Sequence, residues 1–77
     1  MINKKTILAI GAHIGDMELT CGGVLASHAL RGDNIITLAL TAGEKGNPPT
    51  MSVSEYRTQK VQEATNFAEA LGGKAIV

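Results

Sequence analysis

Two short, almost wholly apolar runs set the terms for this chain: "TILAI" (Thr6–Ile10) and, within "NIITLALT", Ile35–Thr41. Such runs suit parallel strands covered on both faces better than half-solvated ones, which alternate apolar and polar residues. Parallel neighbours need a crossover of a dozen or more residues, usually a helix. The sequence supplies one. Met17, Cys21, Val24, Leu25 and His28 recur at helical spacing, and Gly32 stands where a helix would stop.

The pattern then repeats. "AGEKGNPPTM" is a loop, since its glycines and the Pro48–Pro49 pair exclude regular structure. Ser52 and Glu55 have the spacing of a capping box. Val53, Tyr56, Lys60, Val61, Ala64, Phe67, Ala68 and Leu71 give the following helix one mostly apolar face. Gly72–Gly73 ends it, and "KAIV" (Lys74–Val77) opens a third strand. The order β-α-β-α-β predicts an α/β fold: a parallel sheet with right-handed crossovers, the first half of a doubly wound domain. Such a half leaves strand edges and one sheet face uncovered. The expectation is that residues 1–77 are the N-terminal portion of a single larger domain, apparently truncated.

Composition narrows the function. The chain has 77 residues, 44% hydrophobic and 18% charged, with Tyr56 and Phe67 as its only aromatics, so the core must be aliphatic. Net charge is zero and Lys4–Lys5 is the one adjacent basic pair, which gives no support for nucleic-acid binding. The single cysteine, Cys21, rules out an internal disulfide and fits a reducing compartment. "NKKTILAIGA" imitates a signal peptide, but the run Ile7–Ala12 falls short of the roughly 7–15 residues of an h-region. No stretch is long enough to cross a bilayer. A cytoplasmic protein without membrane partners is expected.

In open α/β sheets ligands sit at the carboxyl ends of the strands, here the loop Gly11–Asp16 after the first strand. His13 offers an imidazole and Asp16, three residues on, a carboxylate. A His/carboxylate set with an open position suits catalytic zinc, which takes about three protein ligands plus water. The same spacing equally suits a His13 that caps the next helix and an Asp16 that neutralises its positive N-terminus. A dinucleotide fingerprint from Gly11 would need glycine at His13, and no phosphate-loop motif occurs.

The stretch "GAHIGDMEL" resembles the Ala-His-Pro-Asp-Asp-x-Glu signature of the PIG-L/LmbE family of zinc-dependent N-acetylglucosaminyl deacetylases. "LTAGEKG" resembles that family's Thr-x-Gly-Glu-x-Gly segment, and "YRTQKVQEATNFAEALGG" its Arg-x-x-Glu/Lys…Glu-Ala…Leu-Gly helix. The resemblance implies a Rossmann-like zinc hydrolase that removes the N-acetyl group from an N-acetylglucosamine-type small molecule. His13 and Asp16 match the two early zinc ligands. The third, a downstream histidine in the family, has no match here. Glu18 matches the closing glutamate, with a supporting role, and Glu44 and Arg57 match positions near the substrate. Two residues depart from the signature. Ile14 replaces proline, which frees a backbone torsion. Gly15 replaces the first aspartate, the family's general base, so that the catalytic base is unknown. The alternative is therefore a metal- or sugar-binding homologue without hydrolytic activity. A generic α/β fragment with no site of its own is the third reading.

The remaining candidates have plainer explanations. Cys21 shares a helical face with Met17, Val24 and Leu25 and is expected to be buried. His28 lies more than two turns from Asp16 and is expected to be a packed or surface histidine rather than a ligand. Gly22–Gly23 fits close helix-on-strand approach. Glu44, Lys45 and Asn47 sit in a loop whose default is solvation, and Arg57 in a first helical turn is by default a surface residue. A homo-oligomer is compatible with all of these readings.

Overall fold

The computed structural model describes residues 3–77. It holds three strands, two long helices and a 3₁₀ turn, in the order β1 (Thr6–His13), α1 (Asp16–Leu30), β2 (Asn34–Thr41), the turn Glu44–Gly46, α2 (Val53–Ala70) and β3 (Lys74–Ile76). The strands form one parallel sheet in the order β1-β2-β3, as the alternating pattern requires. The register pairs Thr6 with Asn34 at one end and His13 with Thr41 at the other. No helix among the described residues is long and apolar enough to cross a membrane.

The core lies between the sheet and both helices, on one face. Ile35 and Ala39 of β2 are buried there with Met17 and Leu25 of α1 and Ala64 of α2. Ile7, Ala9, Val61, Phe67, Leu71 and Ala75 pack around them. The other face is bare: Leu8, Ile10, Leu40 and Ile76 are between 51% and 70% exposed. The apolar runs thus read like strands covered on both faces, and in this chain helices cover only one. Two right-handed crossovers made in the same direction along the sheet put both helices on the same side.

The end of β1, the loop after it and the exposure of Val24 differ from the sequence reading, each for a physical reason. β1 runs on through Gly11 and Ala12 to His13, because the ladder with β2 continues that far. The expected loop Gly11–Asp16 is thereby reduced to a turn at Ile14 and Gly15. Val24, placed on the buried face of α1, is 59% exposed. A break at Cys21 (φ −140°, ψ 17°) shifts the helical phase after the first turn, so Leu25 takes the core position and Val24 turns outward. Thr20 Oγ1 and Cys21 Sγ donate to the carbonyls of Asp16 and Met17, four residues back, a pattern that bends helices. Cys21 itself is half-buried.

The second helix starts as expected. Ser52 Oγ accepts from the Glu55 N–H at 3.1 Å, and the Glu55 carboxylate accepts from the Ser52 N–H at 3.3 Å. At its far end the backbone of Gly73 passes so close to Ile35 that a Cβ there would run into the Ile35 carbonyl oxygen. This contact lets the chain enter β3 directly beside β2.

His28 has a structural job. Its Nδ1 lies 2.8 Å from Asp33 Oδ2, and Asp33 Oδ1 accepts from the Lys5 N–H at 3.0 Å. Arg31 Nε is 3.8 Å from the same carboxylate. The buried Asp33 therefore ties the end of α1 to the start of β1, at the opposite end of the sheet from His13. The hydrogen bond from His28, then that from Lys5, holds its carboxyl below the usual carboxylate range.

Two outcomes follow for stability. Gly73→Ala must move backbone, so it should destabilise the protein by about 1–3 kcal/mol in urea unfolding. Asp33 is held in its ionised form by folding. Its contribution is complete above the unfolded carboxyl value of roughly 4 and is lost as pH falls through the lower folded value. Asp33→Asn should therefore lower the melting temperature near pH 7, and the gap to the parent should close as pH drops below about 4. A gap that is independent of pH would contradict the assignment.

Candidate metal and substrate site at the strand ends

The parallel register brings the carboxyl ends of β1 and β2 level, and the chemistry-bearing residues gather there. His13 is the last residue of β1 and pairs with Thr41, the last of β2. Past Thr41 the chain turns at Gly43, whose left-handed backbone (φ 74°) lies against the His13 side chain. A Cβ on Gly43 would stand 3.4 Å from His13 Cβ and 3.5 Å from the ring. Thr41 Oγ1 accepts from the Gly43 N–H at 3.2 Å, which fixes this turn to the end of β2.

On the other side, Ile14 is buried in the core, and burial does here what a proline would do by ring closure: it pins the turn. Gly15 then adopts φ 103°, ψ −23° and opens α1 without a side-chain cap. A glycine takes this backbone at little cost, whereas an L side chain is strained there. His13 does not cap α1. Instead the Asp16 carboxylate reaches back and accepts from the His13 backbone N–H at 2.8 Å. Asp16 and Glu18 both lie in the first turn, where the positive end of the helix favours acids.

Asp16 Oδ2 consequently lies 3.8 Å from His13 Nδ1. Two ligands of one tetrahedral zinc, each at about 2.1 Å, stand roughly 3.4 Å apart. The pair fits one shared ion after a small side-chain adjustment. It is also incomplete: among the described residues no group of three or more His, Cys, Asp or Glu could hold a metal. The structure thus brings one imidazole and one carboxylate together at this strand end.

A cleft of about 570 Å³ opens beside this pair, lined by His13, Ile14, residues 41–46, Tyr56 and Lys60. Glu44 lines its wall, and its Oε2 forms an ion pair with Arg57, 3.2 Å from Nε. Arg57 itself stands behind Glu44 rather than in the lining. Glu18 is exposed on α1 and takes no part in the lining. Sequence reasoning put Tyr56 and Lys60 on the packing face of α2, yet both line the cleft. The signal available for Lys60 was a lysine inside an apolar stripe. Its ammonium is 3.0 Å from Glu63 Oε1 and 5.8 Å from the Tyr56 ring centre. The hydrogen bond that it donates to Glu63 holds it above the usual lysine range, so the cleft keeps a positive charge on this wall.

The chain is similar to known proteins in sequence and in shape. The chain is 49% identical over 43 residues to the uncharacterized deacetylase YaiS of Escherichia coli, a match that takes in 56% of this chain and 23% of the relative. It superposes on the crystal structure of GalB, the 4-carboxy-2-hydroxymuconate hydratase of Pseudomonas putida, with a TM-score of 0.81 and 28% identity over 92% of this chain and 32% of that one. The chain therefore spans a quarter to a third of the proteins it resembles. The profile described as GlcNAc-PI de-N-acetylase matches residues 8–77, almost the whole sequence, and on that match the chain belongs to the PIG-L family.

Proposed function

We propose that the protein is part of a zinc-dependent N-deacetylase that hydrolyses the acetamide of an N-acetylglucosamine-type small molecule. One observation carries the reading: His13, which lines a cleft, brings its Nδ1 to 3.8 Å from Asp16 Oδ2, in a chain of the PIG-L family. Its similarity to a protein named as a deacetylase supports the same reaction. We take residues 1–77 as the N-terminal portion of the catalytic domain, with the third ligand supplied from outside them. The coverage of the two relatives supports this. The single unpaired Cys21 supports a cytoplasmic setting.

In this reading His13 and Asp16 hold the metal. A zinc ion held by them would supply Lewis acidity toward an acyl carbonyl and a water molecule. The protein's own groups do the rest. The bond from the His13 N–H fixes the Asp16 carboxylate before any ion arrives. Gly43, by keeping its place against the imidazole without a side chain, leaves the cleft open next to the donors. The Arg57–Glu44 ion pair holds a carboxylate at the edge of the cleft, and the Tyr56 ring gives an apolar surface for a pyranose face. A hydratase such as GalB also uses water as its reagent, so the shared fold is compatible with either outcome of water addition.

A second reading, a binding homologue without turnover, is favoured by one residue. Gly15 carries no side chain where the family signature has its base, and its φ of 103° suits glycine.

Turnover decides between them. With an N-acetylglucosaminyl conjugate as substrate, the deacetylase reading predicts release of the free amine, loss of that activity on chelation and recovery with zinc. His13→Ala should lower the rate by about 100-fold or more and lower zinc occupancy with it. Amine release that survives both chelation and His13→Ala would refute the metal role. Zinc bound through His13 without any amine release would favour the binding homologue.

A further inference from the structure

A hydrolase with glycine at the base position needs its proton acceptor elsewhere, and residues 3–77 themselves contain few choices. The chain has seven acids. Asp16 is committed to His13. Asp33 lies at the other end of the sheet, bonded to His28 and Lys5. Glu55 closes the capping box of α2, and Glu63 is held by Lys60 and Gln59. Glu18 and Glu69 are exposed and outside the cleft. Glu44 alone among the acids lines it.

Glu44 is also built to stay there. It follows Gly43, whose backbone lies against the His13 side chain, so it enters the cleft next to the candidate metal donors. Arg57 engages one of its oxygens, Oε2, at 3.2 Å. Oε1 takes no part in that ion pair. The side chain is 26% exposed, enclosed enough to be oriented and open enough to meet a ligand. A carboxylate fixed through one oxygen and not through the other has the form of a general base.

We infer that Glu44 takes over the proton-transfer role that the family signature gives to the residue at position 15, with Arg57 as the residue that positions it. The inference rests on the hydrolase reading. Water adds its oxygen to the acetyl carbon while one of its protons passes to Glu44 Oε1. The C–N bond then breaks, and the same proton moves from the Glu44 carboxyl to the leaving nitrogen. The products are the free amine and acetic acid, which ionise in solution, and Glu44 returns to its carboxylate. No oxidant or reductant is required.

The test compares the protein with Glu44→Gln, Glu44→Asp and Gly15→Asp, with an N-acetylglucosaminyl conjugate as substrate. Amine release, zinc content and melting temperature are measured for each. Glu44→Gln is close to isosteric and should fold. It should lower kcat by about 10²–10⁴-fold, with KM and zinc content little changed. Glu44→Asp keeps the charge but shortens the side chain, and should retain more activity than Gln. An effect on KM alone would make Glu44 a substrate-binding group and overturn the inference. Loss of zinc in Glu44→Gln would make it a metal-holding group, and unchanged kcat would give it no role; either overturns the inference too. Should the parent be inactive and Gly15→Asp active, Glu44 is not the base, although the deacetylase reading survives. Should both be inactive while zinc binds, the deacetylase reading itself fails and the inference falls with it.

Discussion

The pairing of His13 with Thr41 at the end of the β1–β2 ladder is the constraint on which the site depends. Parallel strands in register bring their carboxyl ends to one edge, and the chain must leave each strand there. One exit, through Ile14 and Gly15, turns into α1 and carries Asp16. The other, through Gly43, carries Glu44. A slip of β1 by one residue would send His13 to the opposite sheet face. The buried set on the helix-covered face, with Ile35 and Ala39 in β2, opposes that slip.

Local chemistry then finishes what the register begins. Glycines occupy the points where the backbone must come close or turn left: Gly11, where a Cβ would collide with Met17, and Gly15 and Gly43, both at positive φ. Gly15 is therefore two things at once. Its backbone lets α1 start abruptly enough for Asp16 to reach back to the His13 N–H. Its missing side chain removes the carboxylate expected of the family at that place. These need not conflict, because the second exit from the sheet supplies a carboxylate to the same cleft.

Much of this was legible in the sequence. Two apolar runs, two helical periodicities and the Ser52/Glu55 box were enough to give the strand order, the parallel sense and the start of α2. His13 and Asp16 were legible as candidates from their types and their place at a strand end, whereas Glu44 stood out from a solvated loop only through the family resemblance. What escaped was set by tertiary context. Gly11 and Ala12 have no preference for strand, and only the neighbouring ladder keeps them extended. The break at Cys21 comes from side-chain bonds to carbonyls four residues back, which no periodicity reveals. Lys60 counts by spacing as a face residue, and it lines the cleft because Glu63 and the Tyr56 ring hold its ammonium there. The link between Glu44 and Arg57 spans a proline-containing loop and leaves no spacing signature.

The central claim is that His13 and Asp16 belong to one metal centre. It is tested most directly by the crystal structure of the zinc-loaded protein, with anomalous scattering measured at the zinc edge. The account predicts a single strong anomalous peak at the mouth of the cleft, with an imidazole nitrogen of His13 and a carboxylate oxygen of Asp16 each at about 2.0–2.2 Å. A peak coordinated instead by Cys21 or His28, with the His13–Asp16 pair left out, would contradict it.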